Sequence, residues 1–371
     1  MLKVGSDFSG VGAFNQSLIR LGVKYKEVFA CDMDKYARET FIHNYGEPEY
    51  YPTNVYEREI PKDSLDIYMT SPPCQAFSLA GKRLGKEDKR GILFFNSYEF
   101  IQVNKPRYFI FENVKGLLSD DNGKTFSEWV NLLGGKSVNG NSVIFPYEDS
   151  LPYHLHWQVL NAKKHGVPQN RERVFLIGIR DDKDNNFRFP VEEHLTKRLK
   201  DVLENDVDDK YFLSEKMLNV LSHHKNPIIK NETPKNSACI HAGYFKMGGR
   251  DQQYLKINSA TTKGYEDFWV ADYRADEGLR IRKDNISPCM TSSMRDSKEW
   301  NEKAGTRNPP LVGYDYKIRR LTPRECFRLM DFPDSFTWTV SDSQAYKQAG
   351  NSIVVNVLYK ILKNLNLEKD E

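Results

Sequence analysis

The first 180 residues of this chain alternate short β-rich segments with segments of helical pattern, and this alternation restricts the fold more than any other feature. Candidate strands lie at residues 2–6, 27–31, 65–70, 108–111, 157–160 and 174–179. Candidate helices lie at 13–21, 35–45, 94–103 and 125–133, with a further one at 353–365. This order predicts an α/β fold with a mostly parallel sheet covered by helices on both faces. Ligands bind such sheets beyond the carboxyl ends of the strands.

The pattern changes between residues 190 and 310, where Gly, Asn, Lys, Ser and Asp become frequent and periodicity weakens. We interpret this part as a second, smaller and loop-rich domain. The predicted limits are 1–190 for the first domain, completed by 345–371, and 191–344 for the second domain with its hinge. A chain of 371 residues, 39% of them hydrophobic, is long enough for two such domains.

Composition argues against several classes of protein. No apolar run approaches the roughly 18 residues that a membrane helix needs, and the sequence begins without the apolar stretch of a signal peptide. We therefore expect a cytoplasmic protein with no membrane partner. The five cysteines are odd in number and form no C-x-x-C pair, so neither a disulfide framework nor a structural zinc site is expected.

Basic residues are concentrated in two stretches, although the net charge is only +3. Residues 82–90 contain five bases and two acids, and residues 317–328 contain five bases and one acid. Contacts with phosphate require such stretches, so both are candidate nucleic-acid contacts. Solvated loops are the alternative for either stretch alone.

A glycine-containing loop follows the first strand and reads Asp7-Phe8-Ser9-Gly10-Val11-Gly12-Ala13-Phe14. Glycines let the backbone turn tightly and approach a ligand, although Asn15 breaks the G-x-G-x-x-G pattern. Asp32, at the end of the second strand, is placed to accept hydrogen bonds from ribose hydroxyls. Asp34 is the candidate N-cap of the next helix. Together these features predict an adenosine-containing ligand and leave its identity open.

Candidate catalytic residues lie next to three other strands. Cys74 ends the sequence Ser71-Pro72-Pro73-Cys74, whose prolines stiffen the turn, and a thiol near arginines is a competent nucleophile. Glu112 follows an apolar strand and is a candidate proton donor to a ring nitrogen. Arg171 and Arg173 precede the strand 174–179, where extended geometry directs both to one side, to fix the carboxyl and bind a carbonyl oxygen. An inert core thiol, a capping carboxylate and an exposed charged edge are the respective alternatives.

Six short motifs follow one another along the chain. They are Asp7–Phe14, Ser71-Pro72-Pro73-Cys74-Gln75, Glu112-Asn113-Val114, Gln169–Arg173, Arg320-Leu321-Thr322-Pro323-Arg324-Glu325 and Gln348-Ala349-Gly350-Asn351-Ser352. This ordered series resembles that of the DNA (cytosine-5) methyltransferases of prokaryotic type, and the resemblance covers nearly all of the chain except residues 190–310. Six motifs in one order are specific, whereas any one of them alone would not be.

The resemblance implies a Rossmann-like fold that uses S-adenosylmethionine, yields S-adenosylhomocysteine and needs no metal. It implies that Cys74 adds to carbon 6 of cytosine, that Glu112 holds or protonates ring nitrogen 3, and that Arg173 contacts the carbonyl oxygen with support from Arg171. Carbon 5 then takes the methyl group, a base removes the carbon 5 proton, and the thiol is expelled. The positions that match the family's cofactor pocket are Phe8, Gly10, Gly12, Asp32, Met33, Asn54, Val55, Pro73, Leu93, Asn351 and Ser352.

Four positions depart from the family's pattern near this pocket. Ala13 stands where many members have glycine, and Asp32 replaces the more usual glutamate. Met33 occupies a slot often filled by tryptophan, and Asn54 stands where aspartate commonly contacts the adenine amino group. An amide still accepts a hydrogen bond there, so the resemblance implies altered affinity rather than loss of binding.

The resemblance also implies double-stranded DNA as the partner, with the target cytosine flipped out because its ring carbons are hidden in a duplex. Ser78 and Arg90 match loop positions that grip phosphate, and Gln75 is a candidate for filling the gap left by the base. In the family the region 190–310 reads sequence, and here Arg250 and Arg295 are candidates for pairing with guanine. We expect a monomer that is the modification enzyme of a restriction–modification system with a separate endonuclease, or that acts alone.

Other functions stay open as alternatives. A nicotinamide-dependent oxidoreductase would use the glycine loop but gives Cys74 no role, and a silent DNA-binding module would be expected to lose the thiol or the acid. Amino-group methyltransferases typically carry an aromatic residue after the two prolines, where this chain has Cys74. A related branch acts on transfer RNA, but the long 190–310 segment favours duplex DNA.

Overall fold

The computed structural model describes residues 1–73, 92–212, 252–257, 269–274, 278–282, 287–288, 311–314 and 317–367. The chain divides into two compact units. Unit 1 consists of Met1–Leu160, Glu172–Val191 and Val357–Glu371, and unit 2 consists of Asn161–Arg171 and Glu192–Asn356. Within the described parts of the chain, no helix has the length and apolar character needed to cross a membrane.

The strands and helices of the described residues are numbered here in chain order. The strands are β1 (Leu2–Asp7), β2 (Tyr25–Cys31), β3 (Ile67–Thr70), β4 (Tyr108–Val114), β5 (Ser137–Val138), β6 (Asn141–Ser142), β7 (His154–Asn161), β8 (Gln169–Asn170), β9 (Glu172–Ile179), β10 (Gln252–Ile257), β11 (Trp269–Arg274), β12 (Gly278–Arg282), β13 (Ser287–Pro288), β14 (Leu311–Tyr314) and β15 (Lys317–Arg320). The helices are α1 (Ala13–Leu21), α2 (Lys35–Tyr45), α3 (Ile92–Asn104), α4 (Lys124–Leu133), α5 (Pro323–Leu329), α6 (Asp342–Asn351) and α7 (Val355–Lys363). Short 3-10 helices lie at Lys115–Gly123, Ala162–His165, Asp182–Asp184, Leu199–Val202 and Asp209–Tyr211.

Unit 1 is built around a sheet with the strand order β2-β1-β3-β4-β9-β7-β5-β6. Strands β2, β1, β3 and β4 are mutually parallel, and β9 pairs with β4 in the antiparallel direction. The predicted α/β fold with a mostly parallel sheet is confirmed, and every strand and helix predicted within residues 1–180 has a counterpart. Helices α1 and α2 have the predicted bounds, whereas most other ends differ by a few residues.

Strand β4 runs past its predicted end at Phe111. Pairing with β9 continues from Glu112, which is opposite Phe175, to Val114, which is opposite Arg173. Glu112 therefore lies inside a strand rather than after one.

The core of unit 1 consists of aromatic and aliphatic side chains between the sheet and its helices. Tyr68 of β3 stacks on Phe100 of α3 with ring centroids 4.1 Å apart, and Phe94 of α3 stacks on Trp129 of α4, also at 4.1 Å. All residues of β3, and all but the last residue of β4, are buried. Because helices cover both faces of a parallel sheet, its central strands are largely apolar on both faces.

Unit 2 contains antiparallel strands in the order β10-β15-β14-β11-β12. Strand β10 also pairs with β11, so β10, β15, β14 and β11 form a closed ring of ladders. The sequence analysis predicted no strands in this region, because the segments are short and polar residues interrupt their alternation.

Helix α5 begins with a capping box in unit 2. The hydroxyl of Thr322 accepts a hydrogen bond from Glu325 N at 3.2 Å, and Thr322 N donates to Glu325 Oε2 at 2.8 Å. Pro323 occupies the first turn, where its missing N–H costs nothing.

Candidate active site

The carboxyl ends of β3 and β4 bring two of the predicted motifs together. The strands are parallel neighbours, and β3 leads directly into the proline turn Ser71-Pro72-Pro73. Asn113 Nδ2 donates a hydrogen bond to the carbonyl oxygen of Pro72 at 3.3 Å. The Glu112-Asn113 motif therefore holds the turn that precedes position 74.

Glu112 and Arg173 form an ion pair at this edge of the sheet. Arg173 Nε lies 3.1 Å from Glu112 Oε1, and the two side chains are 17% and 10% exposed, respectively. Strand register produces the pair, because Arg173 is opposite Val114 and so lies diagonally across from Glu112 on the same face. A carboxyl held in this way has a fixed orientation, which proton transfer to a ring nitrogen requires.

Arg171 belongs to unit 2 and contacts the end of α6. The residue is 4% exposed, and its Nη2 donates a hydrogen bond to the carbonyl oxygen of Ser352 at 2.7 Å. Both Nη1 and Nη2 also lie 3.4 Å from the carbonyl oxygen of Gly350. Carbonyl groups at a helix C-terminus lack partners within the helix, so a guanidinium there stabilises the helix end. Asn351, the last residue of α6, is exposed, whereas Ser352 is buried. The two arginines therefore make different contacts: Arg173 holds the carboxyl, and Arg171 holds the segment after α6.

The glycine loop after β1 has left-handed backbone at three residues. The angle φ is 58° at Phe8, 55° at Gly10 and 83° at Gly12. Asp32 closes the loop, since Oδ2 accepts from Gly10 N and Oδ1 accepts from Asp34 N, both at 2.8 Å. Burial raises the pKa of Asp32, and the two backbone donors oppose that shift. The prediction that Asp34 is the N-cap of α2 is confirmed.

The open side of this loop has room for a ligand. A Cβ atom at Gly10 would have nothing within 4 Å, and Met33, next to Asp32, is 86% exposed. Covering an exposed apolar side chain with the face of a planar ring removes apolar surface from water, which is favourable. A tight backbone turn, a carboxylate and an exposed apolar side chain therefore fit an adenosine-containing group.

The remaining positions predicted to bind the cofactor in unit 1 differ in exposure. Val55 is buried in the core, Leu93 is half-buried against it, and Pro73 is exposed. The amide of Asn54 is engaged locally, because Oδ1 accepts from Tyr56 N at 3.1 Å and Nδ2 donates to Glu57 Oε1 at 2.7 Å.

A buried ion pair that the sequence analysis missed lies at the start of the glycine loop. Arg58 Nε donates to both carboxylate oxygens of Asp7 at 2.9 Å, and the Tyr68 hydroxyl donates to Asp7 Oδ2 at 2.6 Å. The Arg58 and Asp7 side chains are 3% and 0% exposed. Burial raises the pKa of Asp7, and the charge of Arg58 opposes that shift. Arg58 lies in a segment without periodicity, 51 residues from its partner, so no sequence signal pointed to the pair.

Two arginines of the basic stretch 317–328 form ion pairs within unit 2. Arg319 is 1% exposed and binds Glu325 through two hydrogen bonds, Nη1 to Oε2 and Nη2 to Oε1, each 2.8 Å long. Arg328 Nη2 donates to Asp334 Oδ2 at 2.8 Å. The interpretation of this stretch as a phosphate contact is therefore wrong for Arg319, because its guanidinium is buried and paired.

Several predicted site residues lie outside the described residues. These are Cys74, Gln75, Ser78, Arg90, Arg250 and Arg295. Among the residues that the structure does describe, no group of three or more His, Cys, Asp or Glu side chains is arranged to hold a metal ion.

Comparison with known proteins identifies one family. The family model described as C-5 cytosine-specific DNA methylase matches residues 2–367. The type II methyltransferase M.HhaI of Haemophilus parahaemolyticus is 34% identical over 360 residues, which cover 96% of this chain and 92% of that protein. The orphan methyltransferase M.SPRI of Bacillus phage SPR is 33% identical over 446 aligned positions, which cover 98% and 97%, respectively.

A solved structure supports the fold independently. The crystal structure of S. pombe Dnmt2 methyltransferase matches with a TM-score of 0.61 at 20% identity, covering 98% of this chain and 97% of that one. The α/β architecture is thus the Rossmann-like fold of these methyltransferases. Because the family model spans almost the whole sequence and relatives above 30% identity align along nearly their full length, the chain belongs to the C-5 cytosine-specific DNA methylases, the enzymes that methylate carbon 5 of cytosine in DNA.

Proposed function

We propose that this chain transfers a methyl group from S-adenosylmethionine to carbon 5 of a cytosine flipped out of a specific double-stranded DNA sequence, through a covalent bond to Cys74. The observation that carries the proposal is the Glu112–Arg173 ion pair, beside the proline turn that precedes Cys74. Cytosine presents ring nitrogen 3 and its carbonyl oxygen side by side. A carboxyl next to a guanidinium matches that edge.

In the proposed reaction the Cys74 thiolate adds to carbon 6, and the ring electrons move towards carbon 5. Glu112 holds a proton at ring nitrogen 3 and Arg173 donates to the carbonyl oxygen, so the charge that develops on the ring is stabilised. Carbon 5 takes the methyl group, and a base then removes the proton from carbon 5. The electron pair of that C–H bond forms the carbon 5–carbon 6 double bond, which breaks the carbon–sulfur bond and releases the thiolate. Arg171 is assigned a supporting role, and its guanidinium binds the carbonyl oxygen of Ser352 in the segment after α6.

The residues around the glycine loop suit the methyl donor. When bound, S-adenosylmethionine supplies an electrophilic methyl group. The turn from Phe8 to Gly12 would hold the donor, the Asp32 carboxylate would accept hydrogen bonds from its ribose hydroxyls, and Met33 would offer an apolar contact to its adenine. The other predicted donor contacts are Asn54, Val55, Pro73, Leu93, Asn351 and Ser352.

We propose that DNA contacts come from two further parts of the chain. In the segment between the proline turn and α3, Ser78 and Arg90 bind phosphate and Gln75 fills the gap left by the flipped base. In the recognition domain, residues 191–344, Arg250 and Arg295 pair with guanine.

The catalytic domain then comprises residues 1–190 with 345–371.

We further propose that the enzyme is a cytoplasmic monomer that protects DNA against a separate restriction endonuclease. Relatives include both a type II and an orphan methyltransferase. Extracts of the source cells should therefore cleave unmethylated DNA at the target site and spare DNA that this enzyme has methylated. Absence of such cleavage would favour a solitary enzyme.

Covalent trapping tests the proposed chemistry. The target site is first mapped by sequencing the 5-methylcytosines in DNA from cells that express the chain. Duplex DNA with 5-fluorocytosine at that site, together with the donor, should form an adduct that survives denaturing electrophoresis, because fluorine at carbon 5 blocks proton removal. Cys74→Ser should form no adduct and should lose methyl transfer by roughly a thousandfold or more, while DNA affinity is retained.

The matched control is Cys326→Ala, which removes a buried thiol of unit 2 and should still give the adduct. An adduct with Cys74→Ser would contradict the assignment of the nucleophile. A wild-type enzyme that methylates its site and yet is never trapped would contradict the covalent route.

A further inference from the structure

Arg58 is a buried charge in an otherwise exposed segment. Its neighbours Glu57 and Glu59 are exposed, whereas Arg58 is buried, with 8% of the whole residue exposed. Besides the two bonds to Asp7, its Nη2 donates to the carbonyl oxygen of Asn96 at 3.2 Å, and its guanidinium carbon lies 4.6 Å from the ring centroid of Phe100. A buried guanidinium is stable only when charge and hydrogen bonds compensate it, so these contacts hold the segment in one position.

The contacts of Arg58 reach three segments that carry proposed donor-binding residues. Asp7 is the last residue of β1 and directly precedes the glycine loop. Asn96 lies one turn beyond Leu93 in α3. Arg58 itself follows the turn that begins at Asn54, in which Glu57 N donates to the Asn54 carbonyl oxygen at 3.1 Å. One side chain therefore connects the glycine loop, the Asn54 turn and the first part of α3.

We propose that Arg58 is a positioning residue for the methyl donor, which orders these three segments before the donor binds and does not itself touch the donor. The inference rests on the proposed function, because it assumes that the three segments line the donor pocket. A pocket that is ordered in advance loses less conformational entropy on binding. Loosening the Arg58 contacts should therefore weaken donor binding more than it slows the chemical step.

Unit 1 contains a second cluster of the same composition, which provides a matched control. Arg107 Nε donates to Asp184 Oδ2 at 2.8 Å, and the Tyr108 hydroxyl donates to the same oxygen at 2.9 Å. Arg107 and Tyr108 stand at the amino end of β4, whereas the proposed site lies at its carboxyl end. If an Arg–Asp–Tyr cluster only stabilised the fold, replacing the arginine of either cluster should have the same effect on donor binding.

The experiment compares Arg58→Lys with Arg107→Lys. Lysine keeps the charge but lacks the planar fork of donors, so each variant loosens its cluster without removing it. The KM for the donor should rise between about tenfold and a hundredfold in Arg58→Lys, which is the loss of affinity seen when residues that orient metal ligands are replaced. The kcat at saturating donor should stay within about twofold, since loss of ground-state binding alone raises only KM. Arg107→Lys should lower the melting temperature and leave the donor KM unchanged.

A milder pair of variants covers the case in which Arg58→Lys does not fold. Tyr68→Phe removes one hydrogen bond to Asp7, and Tyr108→Phe removes its counterpart at Asp184. Calorimetry should show that the donor Kd rises about three- to tenfold in Tyr68→Phe only. Equal donor affinity in Tyr68→Phe and Tyr108→Phe, or a parallel fall of kcat with unchanged KM in Arg58→Lys, would overturn the inference.

Wild-type measurements separate this inference from the proposed function. If the wild-type chain binds S-adenosylhomocysteine by calorimetry and methylates DNA, the proposed function stands and the variants decide the role of Arg58 alone. A wild-type chain that binds neither donor nor product would overturn the proposed function and the inference together.

Discussion

Glu27 of β2 carries a half-buried side chain whose carboxyl lies against Asn15 of α1. Asn15 Nδ2 donates to Glu27 Oε2, and the oxygen atom Oε1 is itself buried. Burial raises the pKa of Glu27 from its ordinary value of 4.5 to about 8. The raised pKa favours the protonated side chain in the folded protein near neutral pH, because the charged form would be poorly solvated there.

This pKa shift predicts a pH-dependent contribution to stability. The unfolded chain loses the Glu27 proton near pH 4.5, whereas the folded chain keeps it until about pH 8. Between about pH 4.5 and pH 8 the folded state therefore binds more protons than the unfolded state. The contribution of Glu27 to the free energy of unfolding falls as the pH rises through this range and stays constant above about pH 8. Glu27→Gln should remove this contribution and be more stable than the wild type at pH 8.5 by several kcal/mol.

Urea denaturation at pH 5, 7 and 8.5 measures the difference between the two proteins. Glu49→Gln is the control, because Glu49 pairs with Lys26 on the surface and its side chain is 64% exposed. The surface variant should follow the wild type at every pH. A wild-type-to-Glu27→Gln difference that does not grow with pH would contradict the assignment.

At the scale of elements, helix α1 is bounded by two glycines in left-handed conformation. Gly12 precedes it with φ of 83°, and Gly22 follows it with φ of 76°. A Cβ atom at Gly12 would lie 2.2 Å from Cε2 of Tyr45, whereas a Cβ atom at Gly22 would meet nothing within 4 Å. The same substitution therefore has different consequences at the two ends of one helix.

Replacement of each glycine by alanine tests this difference. Gly22→Ala should cost about 1–2 kcal/mol from backbone strain alone. Gly12→Ala should cost a further amount of about 1–3 kcal/mol, because the Tyr45 ring must move, and should also weaken donor binding because Gly12 belongs to the glycine loop. Chemical denaturation and calorimetric titration with S-adenosylhomocysteine measure both effects, and equal stability of the two variants would contradict the steric argument.

Sequence periodicity was sufficient for the longer strands and the α-helices of residues 1–180, because alternating strands and helices leave a local signal, but it did not predict the two-residue strands β5, β6 and β8. It was insufficient where the partner of a residue lies outside its own helix or strand. The length of β4 depends on pairing with β9, and the burial of Arg319 depends on Glu325. The ion pair of Arg58 depends on Asp7. In each case the deciding contact is tertiary, and the residue itself looks like any exposed polar residue in the sequence.

At the scale of the whole molecule, the two units combine different architectures in one chain. Unit 1 has the mostly parallel sheet with the glycine loop and the Glu112–Arg173 pair, and unit 2 has the antiparallel ring of strands. The Arg319–Glu325 pair and the capping box of α5 stabilise the part of unit 2 that follows that ring. Recognition of a DNA sequence and transfer of a methyl group are therefore expected to be separable by exchange of segments.

Exchange of the recognition region tests that separation. Residues 213–316 are replaced by the corresponding region of a relative with a different known site, so that Arg319, Glu325 and all residues of unit 1 are retained. Sequencing of 5-methylcytosines should show methylation at the relative's site and no longer at the original one. A chimaera that remains active at the original site would place recognition elsewhere. A chimaera with Glu112→Ala serves as the inactive control.

Arg171 and Arg173 are two positions apart in the sequence, yet they belong to different units and hold different partners. Arg171 requires the carbonyl groups at Gly350 and Ser352, and Arg173 requires Glu112. A genetic crossover between two diverged relatives that falls between the two arginines would bring both of them together with partners from another ancestor, whereas a crossover on either side of the pair would do so for only one arginine. Recombination among such genes should consequently be rarer between Arg171 and Arg173 than in the sequence on either side of them.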